Sequence, residues 1–126
     1  MITAAHVLLY SKDPDADRAF FRDVLKLRHV DIGHGWLIFQ LPPSELALHP
    51  VDSDAPAPAG DGSMIGAEMY LMCDDLESVI ASLKAASVRC GPVAKERWGI
   101  RTSVRLPSGA EVGLYQPLHP TAYDLA

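Results

Sequence analysis

The chain reads as one pattern written twice. Residues 4–11 (AAHVLLYS) form a run of strand-forming residues followed by Asp13-Pro14, a helix start with Asp as N-cap and Pro at the first helical position. Residues 67–73 (AEMYLMC) are followed in the same way by Asp74 and Glu77, a capping-box-like start. His6 and Glu68 lie 62 positions apart, as do Pro14 and Leu76, while the closing segments ELALHP (45–50) and EVGLYQP (111–117) lie 66 apart. A few inserted loop residues account for the difference. Such a repeat is neither a solenoid period nor a doubly wound pattern. Each half, at about 55 residues, is too small to bury a secure core alone, so the two must share one.

Within the first half, the helix after Pro14 places Phe20, Phe21, Val24 and Leu25 on one side, with Asp17, Arg18, Arg22 and Asp23 elsewhere. Strands are expected at 28–31, 35–40 and 45–49, separated by turns at His34-Gly35 and at 41–44. Residues 51–63 (VDSDAPAPAGDGS) change character to Pro, Ala, Gly, Asp and Ser and read as a surface linker. Extended, it would span about 40 Å. The second helix carries Leu76, Val79, Ile80 and Leu83 at i, i+3, i+4 and i+7, and strands follow at 88–93, 99–105 and 111–116. Each half is therefore β-α-β-β-β, giving a single domain: a first module over about 1–50, the linker, a second module over about 64–117 and a tail at 118–126.

Composition narrows the function classes. With 48% hydrophobic and 21% charged residues among 126, the chain has the makeup of a globular core and not of a disordered segment. No apolar run approaches the roughly 18 residues of a membrane span, and no basic-then-apolar segment opens the sequence, so a soluble cytoplasmic protein is expected. Eleven Lys plus Arg against 16 Asp plus Glu give a net charge of −5 without a basic cluster, which argues against a nucleic-acid partner. Cys73 and Cys90 are the only cysteines, too few and too widely spaced for a disulfide framework or a zinc knuckle. They read as partly buried free thiols.

Strand alternation sorts the side chains onto two faces. His6, Leu8 and Tyr10 oppose Val7 and Leu9; Glu68, Tyr70 and Met72 oppose Met69, Leu71 and Cys73. In the closing strands, Glu45, Ala47 and His49 oppose Leu46 and Leu48, and Glu111, Gly113 and Tyr115 oppose Val112 and Leu114. One face of each strand is apolar and suits a helix. The other mixes carboxylates, histidines and aromatics, a half-polar surface of the kind that binds small molecules.

A doubled βαβββ unit opened by AHVLLYSKDPDADRAFFRDVL, with each half closed by a turn plus ELALHP or EVGLYQP, resembles the vicinal oxygen chelate superfamily. That superfamily includes glyoxalase I, the extradiol dioxygenases, fosfomycin-resistance transferases and bleomycin-resistance binding proteins. The resemblance covers roughly residues 3–117 and implies an α+β fold, with two βαβββ modules forming a curved, mostly antiparallel eight-stranded sheet around a concave site. In metal-dependent members the ligands come from the first and last strands of each half. Carried over, those positions are His6 and Glu68 in the first strands, and Ala47 and Gly113 in the last. Ala47 and Gly113 cannot ligate through a side chain. Glu45 and His49 flank the one, Glu111 and Tyr115 the other, each displaced by about 6.5–7 Å along its strand.

Two functions follow from the resemblance. In one, His6 and Glu68, joined by His49 or Glu111, hold a divalent Fe, Mn, Ni, Co or Zn ion that chelates vicinal oxygens of a substrate. Glu111 or Glu45 would then serve as the base of a lyase or dioxygenase. In the other, no metal is used, and Trp36, Trp98, Tyr70, Tyr115 and Met72 line a pocket for a planar compound, or for a cationic one drawn by Glu45, Glu68 and Glu111. Simpler roles compete with both. His6 could pair with Glu68 across the modules, His49, Glu45 and Glu111 could be solvated rim residues, and the two tryptophans could be core packing. His29, His34 and His119 receive no role. A small-molecule ligand and a homodimer are the expected partners, and the linker allows the modules to pair within one chain or between chains.

Overall fold

The computed structural model of the chain describes residue 1, residues 3–50 and residues 66–125. The linker read at 51–63 lies outside them. The described elements run α1 (Pro14–Asp23), β1 (His29–Asp31), β2 (Leu37–Phe39), β3 (Tyr70–Met72), α2 (Leu76–Ala85), β4 (Ala94–Lys95), β5 (Gly99–Arg105) and β6 (Glu111–Pro117). The fold is α+β with mostly antiparallel strands. Among the described residues, β1 and β2 form a hairpin, and a four-stranded sheet has the order β3-β6-β5-β4. The second half completes βαβββ: α2 crosses from β3 to β4 at the far edge of the sheet, β4, β5 and β6 follow as antiparallel neighbours, and β6 returns to lie parallel beside β3.

Both helices start where their caps dictate. The Asp13 carboxylate accepts from the Ala16 amide at 3.3 Å, with Pro14 next in sequence. In the second helix the cap is Asp75, which accepts from the Ser78 amide at 3.3 Å, one residue later than the sequence reading at Asp74. The shift follows from anchoring. Leu76 is buried at the first turn, and its amide donates to Gln116 Oε1 at 2.8 Å on β6, so the helix has to open at Leu76.

The core lies on the helix-covered face of the four-stranded sheet. Val104, Leu106, Val112 and Leu114 from β5, β6 and their turn meet Leu76 and Leu83 of α2. Phe20 and Phe21 of α1 belong to the same cluster, so the first-half helix covers the second-half sheet. Burying each of these side chains stabilises the fold by about 1.5–3 kcal/mol. Asp17, read as part of the charged side of α1, is instead buried at 6% exposure. It stands at i−3 and i−4 from Phe20 and Phe21, on the stripe that faces the core.

The β5–β6 hairpin closes through residues 106–110, where the Leu106 amide donates to the Ala110 carbonyl at 2.7 Å. Gly109, at φ +97°, supplies the left-handed residue that this turn requires. The strand expected at 88–93 is shifted to Ala94–Lys95, with a single bridge from Cys90 to Val104. Pro92 has no amide proton and interrupts the ladder between them.

The expected strands at 4–11 and 45–49 join no ladder among the described residues. Their apolar side chains face solvent: Leu8 is 66% exposed and Leu46 89%. The reason is cover. The apolar face of each segment needs a helix over it, and α1, which the repeat would lay there, is engaged with Val104, Leu106 and Val112. Among the described residues no helix is long and apolar enough to cross a membrane.

Candidate functional site

The helix-free face of the four-stranded sheet gathers the residues with chemistry. Alternation puts Gly99, Arg101, Ser103 and Arg105 of β5 on this face, beside Glu111, Gly113 and Tyr115 of β6 and Tyr70 and Met72 of β3. Register aligns them in rows. Tyr70 lies opposite Gly113 and Ser103, and Met72 lies opposite Tyr115 and Arg101.

Two glycines make room for two rings. A Cβ at Gly113 would overlap the ring of Tyr70, and a Cβ at Gly99 would overlap the ring of Tyr115. The tyrosines therefore lie down on the backbone of the sheet. Tyr115 meets Tyr70 edge to face with centroids 6.1 Å apart and Trp98 at 5.4 Å, contacts of about 0.5–1.5 kcal/mol each beyond burial. The Tyr115 hydroxyl donates to the Trp98 carbonyl at 3.0 Å, and the His119 ring centre lies 5.7 Å from that of Tyr115. Burial pushes the Tyr115 phenol above its ordinary pKa, with the Glu45 charge adding to the shift. Tyr70 is raised in the same way, by burial first and then by Glu68.

The carboxylates read from the sequence are mostly engaged. Glu45 accepts from the Ala122 amide at 2.7 Å and stands 3.8 Å from His119 Nε2, tying the tail to the segment before residue 50. Glu111 accepts from the Ser103 hydroxyl at 3.3 Å and lies 3.9 Å from Arg105 Nη2. Glu68 accepts from the Tyr70 hydroxyl at 3.4 Å.

The structure brings Trp98, Tyr70 and Tyr115 into one wall, with Met72 opposite Tyr115 on the neighbouring strand. Trp36 stands before β2, where the Arg18 guanidinium lies 4.4 Å above its ring. His6 is exposed in the segment outside the ladders, and His49 Nδ1 donates to the Pro50 carbonyl at 2.9 Å. His6, Glu68 and His49 do not come together as a donor set, and among the described residues no three His, Cys, Asp or Glu side chains gather to hold a metal ion. At Gly113, where the resemblance would place a last-strand ligand, the Tyr70 ring fills the space. Within one chain these residues do not fit a divalent ion. A shallow hollow of about 280 Å³ lies on the β1–β2 hairpin between Arg28 and Phe39, away from this constellation.

Sequence reading missed Arg101 and His119. The alternation Gly99, Arg101, Ser103 carried the signal for Arg101. Nothing local marks His119, whose role depends on the tail folding back on Glu45.

The sequence pattern of the Glyoxalase/Bleomycin resistance protein/Dioxygenase superfamily matches residues 3–113, and the chain belongs to that family. No curated protein matches it. Among solved structures it is similar to an antibiotic binding protein from Streptomyces sp. CB03234, at 20% identity over 93% of this chain and 99% of that one, with a TM-score of 0.61. A lactoylglutathione lyase from Agrobacterium tumefaciens is 22% identical over 86% of this chain and 88% of that one, with a TM-score of 0.55. A glyoxylase/bleomycin resistance protein/dioxygenase domain from Frankia sp. EAN1pec covers 93% of this chain and 98% of its own at 13% identity and a TM-score of 0.59. These likenesses share the fold.

Proposed function

We propose that the chain is a small-molecule-binding member of its family that holds a planar aromatic compound against Trp98, Tyr115 and Tyr70 without a metal. The observation that carries this reading is the Tyr70 ring seated over Gly113, which puts an aromatic surface where the resemblance would put a metal ligand. The antibiotic binding protein among its structural relatives supports it. Trp98 and Tyr70 are exposed and are backed by the buried ring of Tyr115, so they offer a flat guest dispersion contact without chemistry. The same reading takes the working form to be a homodimer, because 4–11 and 45–49 expose the apolar residues that their counterparts β3 and β6 bury by pairing.

The test is a calorimetric and Trp-fluorescence screen with polycyclic aromatic compounds, run beside titration with Fe(II), Mn, Ni, Co and Zn. The expected result is saturable quenching by flat aromatics, weakened at least about ten-fold in Trp98→Ala. Stoichiometric binding of a divalent metal, lost in His6→Ala and Glu68→Ala, would replace this reading with the metal-dependent one.

A further inference from the structure

The aromatic wall ends at an arginine whose donors are largely unused. Arg101 lies opposite Tyr115 in register, and its guanidinium carbon stands 5.9 Å from the centre of the Trp98 ring. Of the five N–H donors of a guanidinium, Nη2 donates to Glu96 Oε1 at a long 3.4 Å, and the Tyr70 hydroxyl lies within hydrogen-bonding reach of the same group. Among the described residues the buried Nε atom has no hydrogen-bond partner. An unmade bond of this kind is a standing cost, which the guanidinium lowers by turning toward an acceptor it can reach. Glu96 is a weak competitor, because both side chains of the pair are more than a third exposed, at 42% and 37%, and such pairs exchange readily with solvent and solutes.

Glu45, Glu68 and Glu111 each accept a hydrogen bond from a neutral group of the protein and keep their charge. Arg101, whose pair with Glu96 is long and exposed, is the cation that stands against the Trp98 ring. A flat ring laid on Trp98 would carry a substituent at its edge to the guanidinium, whose planar fork matches the two oxygens of a carboxylate.

Resting on the aromatic-wall reading above, we infer that the site selects planar aromatic compounds bearing an oxyanion, with Arg101 as the residue that reads it. The experiment compares three ligands that share one ring: 2-naphthoate, 2-naphthylmethanol and 2-naphthylmethylammonium, by calorimetry against the full chain. The naphthoate binds about ten-fold more tightly than the alcohol, and the ammonium binds no better than the alcohol. Arg101→Gln removes the preference for naphthoate over the alcohol, and an unchanged urea midpoint shows that the variant is folded. Arg101→Lys, with the charge but without the fork, keeps only part of the preference. Equal binding of all three ligands, tighter binding of the ammonium, or a preference that survives in Arg101→Gln overturns the role of Arg101 and leaves the aromatic wall standing. Failure of both the alcohol and the naphthoate to bind the unmutated protein overturns the wall itself, and this inference with it.

Discussion

Asp17 on α1 holds Ser108 in the β5–β6 turn from 91 positions away. Its Oδ1 accepts from the Ser108 amide at 3.0 Å and its Oδ2 from the Ser108 hydroxyl at 2.6 Å. Ser11 adds a third bond, to Oδ2 at 2.7 Å. The carboxylate is buried with three hydrogen bonds, and it fixes the first-half helix against the hairpin that carries Arg101 and Tyr115. Asp17→Ala leaves the Ser108 amide without its acceptor and should cost about 2–3 kcal/mol. Asp17→Asn keeps one acceptor oxygen and should cost about 1 kcal/mol. Urea midpoints at constant slope measure both, and a loss under about 0.5 kcal/mol for the alanine variant would mean that water replaces the carboxylate.

The glycine notches make a sharper prediction about the site. Gly113→Ala drives a methyl group into the Tyr70 ring, and overpacking of this kind costs about 1–3 kcal/mol. If the ring is the cause, Tyr70→Ala relieves it. The double variant should then be less destabilised than the two single losses added together, with a coupling of about 1 kcal/mol. Additive losses in a double-mutant cycle would show that Gly113 is there for some reason other than the ring. Gly99→Ala should shift the Trp98 emission, because the ring it displaces belongs to Tyr115, whose hydroxyl bonds the Trp98 carbonyl.

Alkaline pH should weaken the fold. Burial holds the Cys73 and Cys90 thiols above their ordinary pKa of 9.0, and the Tyr115 phenol above 10.0. In the unfolded chain these groups lose protons at their ordinary values, while in the folded chain they still hold them. The unfolded state therefore binds fewer protons above about pH 9, and stability falls as pH rises through that range. Below it these groups contribute no slope. Urea midpoints should be flat from pH 7 to 8.5 and decline from 9 to 10.5, with a smaller decline in Cys73→Ala. Both thiols should react more slowly with a disulfide reagent in the folded chain than in urea. Equal rates would contradict the burial argument.

Local signals were legible and long-range ones were not. Asp13-Pro14 and the Leu76, Val79, Ile80, Leu83 stripe placed both helices because caps and periodicity act within a few residues. Alternation placed β5 and β6 nearly to the residue. Asp17 was misread as a solvent-facing charge because its partner, Ser108, is remote in sequence. The same distance hid the rings of Tyr70 and Tyr115 in their glycine notches, which exist only once β3, β5 and β6 are in register. In the candidate site, Trp98 and Tyr70 each meet the Tyr115 ring edge to face. Trp36 was grouped with them on the strength of the repeat, yet it pairs with Arg18.

The segments at 4–11 and 45–49 lead to a prediction about assembly. Their counterparts in the second half, β3 and β6, form a parallel pair with Leu71 and Leu114 turned to the core. In the first half Val7, Leu9, Leu46 and Leu48 occupy the equivalent apolar face, and all four are exposed. Exposed apolar side chains in such number on two segments suit an interface. Since α1 is already engaged with the second-half core, the proposed homodimer would supply the missing cover from a second copy of the chain, in the symmetric arrangement that most homo-oligomers adopt. Sedimentation equilibrium should give twice the 13.7 kDa chain mass. Leu9→Glu or Leu48→Glu, placing a charge in that interface, should shift the equilibrium to monomer by at least about a hundred-fold in Kd. A monomeric unmutated protein at micromolar concentration, or variants that associate as well as it does, would show that these segments are covered some other way.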